Sequence, residues 1–546
     1  NATTSPIIAT ITVTPTFTNN SVSCVGTART FTIAVNPTAT VNIVNNQDLC
    51  NGDATTAINF TSPTSGGGGS NIVFNWVNNT PSIGLAASGT GDIASFVANN
   101  ATLTPVTATI TVTPTYTNGG VSCAGTPLSF TIMVLPTVTV NPVPDQVFCN
   151  GSVTPVVNFS SPNSGGIINY GWDNSDPGIG LAAFGSGDLP SFTATNTTSS
   201  PVTAIITVRA QILNTTETIS CNGTSRSFTI TVNPTPSVNA VTNQLLCANT
   251  VTTPINFGGP VAGTTYSWTN NNTAIGLAAS GTGSIPSFTT VNNQTSAVTA
   301  TITVTPLYTN AGVTCTGAPI SFTITVNPIA TVNTVANQVL CNGASTAAIN
   351  FSSPATGGTV TYNWTNSAAS IGIAAAGTGN IPTFIATNAT TTPIVATITA
   401  TPTFTNGAVS CVGTPMTFTI TVNPTATVNA VANQVLCNGS STTAIAFTSP
   451  NSGGGGSNVV FNWVNNTPSI GLAASGTGNI GSFAATNTGN APVTATITVT
   501  PVYTNAGVTC TGTSITFTIT VNPTPTVNVV SNQTVCNGSS TAAVNF

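Results

Sequence analysis

Histidine and lysine are absent from this chain of 546 residues, and its only cations are Arg29, Arg209 and Arg226. Charged residues make up 2% of the whole, against roughly 25% in average proteins. The eight acids are Asp48, Asp53, Asp92, Asp145, Asp173, Asp176, Asp188 and Glu217, and no charged side chain follows Arg226. These absences exclude much. General acid–base chemistry has almost no instruments here, and a serine nucleophile would lack its base. Three arginines do not make the basic surface that nucleic-acid binding needs. A calcium site takes about six to eight oxygens, commonly several carboxylates; only Asp173 and Asp176 lie close together, and the later part of the chain has no acid at all. The sequence therefore implies no catalytic residue, no cofactor and no metal. No unbroken apolar run is long enough for a membrane helix.

What remains is apolar and regular. Hydrophobic residues make up 40% of the chain, too many for a disordered polymer, and solvation falls to Thr, Asn and Ser. A unit of about 96 residues recurs without interruption: the junction prolines Pro37, Pro136, Pro234, Pro328, Pro424 and Pro523 are 99, 98, 94, 96 and 99 residues apart. Residues 66–91 return as 453–478 with one change, Ile72 to Val459. The expected organisation is five complete repeats, 36–135, 136–233, 234–327, 328–423 and 424–522. They are flanked by partial ones, the last strands at 1–35 and the first strands at 523–546. The start at Asn1 without a signal peptide reads as a mature protein or a piece of a longer array. Five units end to end would span on the order of 200 Å at about 3.3 Å per strand residue.

Within one repeat the hydrophobic period is two. Val106, Ala108, Ile110 and Val112 alternate with Thr107, Thr109, Thr111 and Thr113, giving one buried and one wet face. Further strands are expected at 38–44, at 57–60, at 72–77 around Trp76, and where Leu128, Phe130 and Ile132 share a face, with a flexible turn at 66–69. Trp172, Trp268, Trp364 and Trp463 repeat the position of Trp76, so the set reads as core and not as a ligand platform; Phe96, Phe192, Phe288, Phe384 and Phe483 read the same way. Short strands, Gly/Pro/Asn turns and no helical period indicate an all-β tandem array of antiparallel immunoglobulin-like sandwiches. The Thr-x-Thr runs resemble ice-binding surfaces, but a solvated face is the plainer reading. Sequons such as Asn59, Asn78 and Asn465 are frequent, as chance dictates in a chain so rich in Asn and Thr.

Twelve cysteines keep the beat of the repeat, two per unit. An even count without His or clustered acids favours disulfides over metal, and an oxidising, extracellular setting. Pairing within a repeat would join Cys50 to Cys123, Cys149 to Cys221, Cys247 to Cys315, Cys341 to Cys411 and Cys437 to Cys510, leaving Cys24 and Cys536 to partners beyond the chain. Each bond would close a loop of about 70 residues and contribute ~4 kcal/mol in the chain-entropy account. In a plain immunoglobulin topology, however, the first turn and the last hairpin lie at opposite ends, too far for a bond whose Cα atoms sit below about 7 Å. Either the first strand is short or kinked, or the bond joins neighbouring units or chains.

Several motifs occur as a set: Cys-x-Gly near the start of each unit, the tryptophan strand, Ile-Gly-Leu-Ala-Ala-x-Gly-Thr-Gly, Thr-Ala-Thr-Ile-Thr-Val-Thr-Pro, Cys-x-Gly-Thr and Phe-Thr-Ile-Thr-Val-Asn-Pro. The whole chain thereby resembles the PKD-like, immunoglobulin-like repeats of very large surface proteins in Bacteroidota. That resemblance implies a sandwich fold, a cell-surface setting in adhesins or motility filaments, and no catalytic residues. Three functions follow as expectations: a stalk, fibre or filament; an adhesin presenting a tip outside this segment; or a glycan-binding accessory module of a secreted enzyme. An uncharged β-rich surface also lacks the repulsion that keeps sheet edges apart, so self-association, or contact with surface proteins or glycans, is expected.

Overall fold

A computed structural model describes residues 1–65, 71–452 and 458–546; the turn expected at 66–69 lies outside the described residues. They gather into two compact units. One holds Asn1–Asn239, Phe257–Ser267 and Val304–Ile320, the other Ala240–Asn256, Trp268–Thr303 and Ser321–Phe546, and the third repeat contributes to both. Among the described residues there is no α-helix, only strands and single 3₁₀ turns.

The first repeat shows how the sequence makes its sheet. An entry strand (Gln47–Cys50) is followed by the tryptophan strand (Asn71–Asn78), a short strand (Ser88–Thr90), the long strand (Val106–Asn118), a hairpin strand (Val121–Ala124) and a closing strand (Leu128–Leu135). In the sheet the order is entry, closing, long, tryptophan, short, with the hairpin strand beside the far half of the long one. The expected alternation holds: Ala108, Ile110, Val112 and Tyr116 are buried while the intervening threonines are not. Those threonines pair across strands, as Thr111 with Ser129 and Thr117 with Ser122. One pairing departs from the antiparallel rule. The entry strand runs parallel to the closing strand, Cys50 opposite Leu135.

The opposite layer is barely a sheet. The strands expected at 38–44 and 57–60 do not form; only isolated bridges join Ala54 to Val97 and Ile58 to Ile93. Side chains satisfy the backbone there instead. Asp92 accepts the Phe60 N–H at 2.8 Å, Thr55 accepts that of Phe96 at 3.0 Å, and Ser95 donates to the Thr55 carbonyl. Ile58, Phe60, Ile93 and Ala98 still face Trp76, Ile110, Phe130 and Ile132, so a sandwich core is present. Phe96 is half-buried and packed against that core, as Phe192, Phe384 and Phe483 are in their own repeats.

Two glycine positions explain motifs that composition left opaque. Gly89 lies across from Trp76, and any Cβ there would enter the indole ring; Gly185, Gly377 and Gly476 stand under Trp172, Trp364 and Trp463 in the same way. In Cys-x-Gly-Thr, a Cβ on Gly125 would meet the Ala39 carbonyl, and Gly223, Gly413 and Gly512 meet equivalent carbonyls at their own junctions. Gly125 and Thr126 donate to Pro114 and Ala39 at 2.7 and 2.9 Å, so the final strand kinks there. The kink is also why Pro114 is tolerated inside a strand: the partner strand is interrupted where an amide donor would be needed.

Of the flanking pieces, Ile7–Val13 pairs with Arg29–Val35 and Thr16–Asn19 with Val22–Val25, as a last hairpin should. Residues 523–546, expected as two strands, form none.

Candidate functional site at the junctions between repeats

The five tryptophans are buried, with 4 to 7% of their surface exposed, and their indole N–H groups find no partner. They offer no platform to a ligand. The acids are equally structural. Asp92 and Asp188 accept the amides of Phe60 and Phe159, and Asn380 and Asn479 do the same for Phe351 and Phe447. Asp145 accepts the Thr229 amide at 2.6 Å, which holds its carboxyl below the usual range, and Asn46, Asn337 and Asn433 occupy the matching place elsewhere. Asp176 caps a 3₁₀ turn, as Asn272 does. A carboxylate and an amide oxygen are interchangeable acceptors here, which is how the later repeats dispense with acids. Asp173 and Arg209 form the one ion pair among the described residues, and it is exposed. Among the described residues no three metal-ligating side chains cluster.

Two of the quoted sequons are architectural. Asn78 and Asn465 are buried, their side-chain amides donating to the Leu85 and Leu472 carbonyls at 3.0 Å and their oxygens accepting the amides of Thr80 and Thr467. Asn59 is exposed.

The feature that repeats with chemical consequence is the junction. Cys50 is bonded to Cys221, Cys149 to Cys315, Cys247 to Cys411 and Cys341 to Cys510, each with Cα atoms 5.5 Å apart. This corrects the within-repeat pairing. Each bond joins the entry strand of one repeat to the last hairpin of the next. Topology is the reason. The parallel pairing carries Cys50 to the end of the repeat where Leu135 leaves it, and the next repeat's hairpin brings Cys221, opposite Ile212, to meet it. The opposite-ends objection to within-repeat pairing therefore holds: Cys50 lies at the Val106 end of the long strand and Cys123 beside Tyr116 at the other. The offset leaves Cys123 and Cys437, expected in disulfides, unpaired along with Cys24 and Cys536.

A polar contact accompanies each bond. The hairpin-tip asparagine of one repeat donates to the last asparagine of the repeat before: Asn310 to Asn233, Asn406 to Asn327 and Asn505 to Asn423, at 2.8 to 2.9 Å, with Asn118 to Asn36 at 2.9 Å alike. Where Leu135 replaces that asparagine, Asn214 turns to Asp48 at 2.9 Å instead. Leu135 itself is fully buried in the core of the second repeat, with Cys50 packed against it. The hairpin cysteines Cys221, Cys315, Cys411 and Cys510 are 2 to 3% exposed, so the bonds are shielded on that side.

A signal for this unit stood in the numbering. From each hairpin cysteine to the next entry cysteine the distance is always 26 residues, as from Cys221 to Cys247 and Cys411 to Cys437. From entry to hairpin within one repeat it varies between 68 and 73. The constant piece is the closing strand, the junction and the entry strand; the pieces from Cys221 to Cys247 and from Cys315 to Cys341 each carry two bonded cysteines, the first joined back to the preceding repeat and the second forward to the following one.

No family model matches the chain, and no curated protein does. Solved structures that resemble it are extracellular repeat ectodomains. Mouse cadherin-23 EC22–24 is 13% identical over 53% of this chain and 98% of its own, with a TM-score of 0.29. Human desmocollin-1 ectodomain is 11% identical over 84% and 94%, at 0.22. Sidekick-1 immunoglobulin domains 1–5 are 10% identical over 89% and 99%, at 0.20. Likeness at that level carries no argument about activity, and the class follows from the strands themselves: an all-β chain of tandem immunoglobulin-like repeats.

Proposed function

We propose that this chain is an extracellular structural repeat protein, a stalk, fibre or filament of the kind built from PKD-like repeats on Bacteroidota surfaces. The observation that carries the reading is the identical disulfide at successive junctions. Such bonds persist in oxidising compartments, and joining each repeat to the next serves a mechanical role better than a binding one. The near-verbatim repetition and the scarcity of titratable groups support it. Antibodies raised against the chain should label intact source cells without permeabilisation; labelling only after lysis would sink the reading. Self-association through uncharged strand edges belongs to the same proposal. Sedimentation velocity of the full chain should then show species that grow with concentration, and a strict monomer would count against fibre formation by many chains.

An adhesive role is the second reading, and one place favours it. In the second repeat Phe184 is 75% exposed beside the Asp173–Arg209 pair, where other repeats carry Ser88, Ser280, Ala376 and Ser475.

A further inference from the structure

The offset bonds change how tension would travel. A chain pulled from its two ends is stretched along the shortest covalent route, and disulfides create shortcuts. Here the shortcuts overlap: Cys50 to Cys221 encloses Cys149, whose bond to Cys315 encloses Cys247, whose bond to Cys411 encloses Cys341. Within-repeat bonds would lie in series, each bypassing its own loop alone. Overlapping bonds give alternative routes past the same stretch.

We propose that the offset disulfides make this chain an extension-limited tension member with duplicate load paths, in which either inner bond can be lost without lengthening it. One route runs from residue 1 to Cys50, across to Cys221, along to Cys247, across to Cys411, back to Cys341, across to Cys510 and on to the end. It never uses the bond between Cys149 and Cys315. A second route crosses from Cys50 to Cys221, returns to Cys149, crosses to Cys315, continues to Cys341 and crosses to Cys510. That one never uses the bond between Cys247 and Cys411. Each route is about 180 residues long, roughly 630 Å at full extension and one third of the reduced chain's reach of roughly 1,900 Å. The 26-residue links add little slack. The piece from Cys221 to Cys247 is already extended as strand over Arg226–Asn233 and Gln244–Cys247. The proposal rests on covalent connectivity alone and is independent of where the chain is displayed or what it touches.

Single-molecule force spectroscopy on the full chain, held by tags at both ends, tests it. The oxidised chain should stop at about one third of the length reached after reduction. The double substitution C149S/C315S should leave the oxidised stop unchanged, and C247S/C411S should move it by only about two residues. If the bonds acted in series, either variant would lengthen the chain by roughly 140 residues, near 490 Å. Such lengthening overturns the proposal, as does an oxidised chain that reaches the reduced length. Because the stop is set by covalent connections, a variant that folds less stably still gives a decisive value, and the two variants check each other.

Discussion

The second and fourth repeats lie at opposite extremes of charge and yet keep the same sheet and the same side-chain acceptors. The second carries Asp145, Asp173, Asp176, Asp188, Glu217, Arg209 and Arg226; the fourth carries none. Yet Asp188 and Asn380 accept the same phenylalanine amide, at 2.8 and 2.9 Å, and Asp145 and Asn337 the same threonine amide. Both repeats set a glycine beneath the tryptophan and bury an asparagine, Asn196 or Asn388, between two carbonyls. The comparison teaches that this fold is specified by acceptor positions and close approaches, and that formal charge on the acceptor is incidental.

The strongest way to break that equivalence is at the glycines. Gly185→Val and Gly377→Val each push a side chain into the indole ring, and each should cost about 3 kcal/mol by chemical denaturation. A repeat that tolerates the change would show that its tryptophan is not fixed as described. Next come Asn196→Ala and Asn388→Ala. Each strips the side-chain donor from one buried carbonyl, that of Val232 or Val422, and each should cost about 2 kcal/mol. Unequal losses between the repeats would mean the charged neighbours matter after all.

Exchanging the acceptors should do much less. Asp188→Asn, or Asn380→Asp, should shift stability by under about 0.5 kcal/mol at pH 7, whereas Asn380→Ala should cost about 1 kcal/mol by orphaning the Phe351 amide. The smallest effect is with pH. The Thr229 amide lowers the pKa of Asp145, so the carboxylate favours the folded state above its unfolded value near 3.8 and loses that contribution as pH falls through the folded value. Protection of the Thr229 amide against hydrogen exchange should therefore weaken in acid relative to Thr419, whose acceptor is Asn337 and does not titrate. Parallel behaviour of the two amides would remove the linkage.

Much of the sheet was legible because its residues are buried on one face. The alternation from Val106 to Val112, the tryptophan strand and the closing strand all follow from a period of two. The other layer was not legible, since its backbone is satisfied by Asp92, Thr55 and Ser95, and side-chain acceptors leave no periodic trace. Of the candidate site, the cysteines and the distance problem in their pairing were readable. The partner was not, because it depended on one fact absent from hydrophobic pattern, the parallel lie of Gln47–Cys50 on Leu128–Leu135. That alignment decides which end of the repeat Cys50 occupies. The stand-in of Asp48 where Leu135 replaces an asparagine was equally hidden, since the two acceptors lie in different strands.

Everything mechanical in this account depends on the offset of the disulfides, and peptide mapping of the unreduced full chain tests it most directly. After alkylation of free thiols and digestion, the Cys50 peptide should be recovered joined to the Cys221 peptide, with Cys123 and Cys437 alkylated. Recovery of Cys50 joined to Cys123 would contradict it.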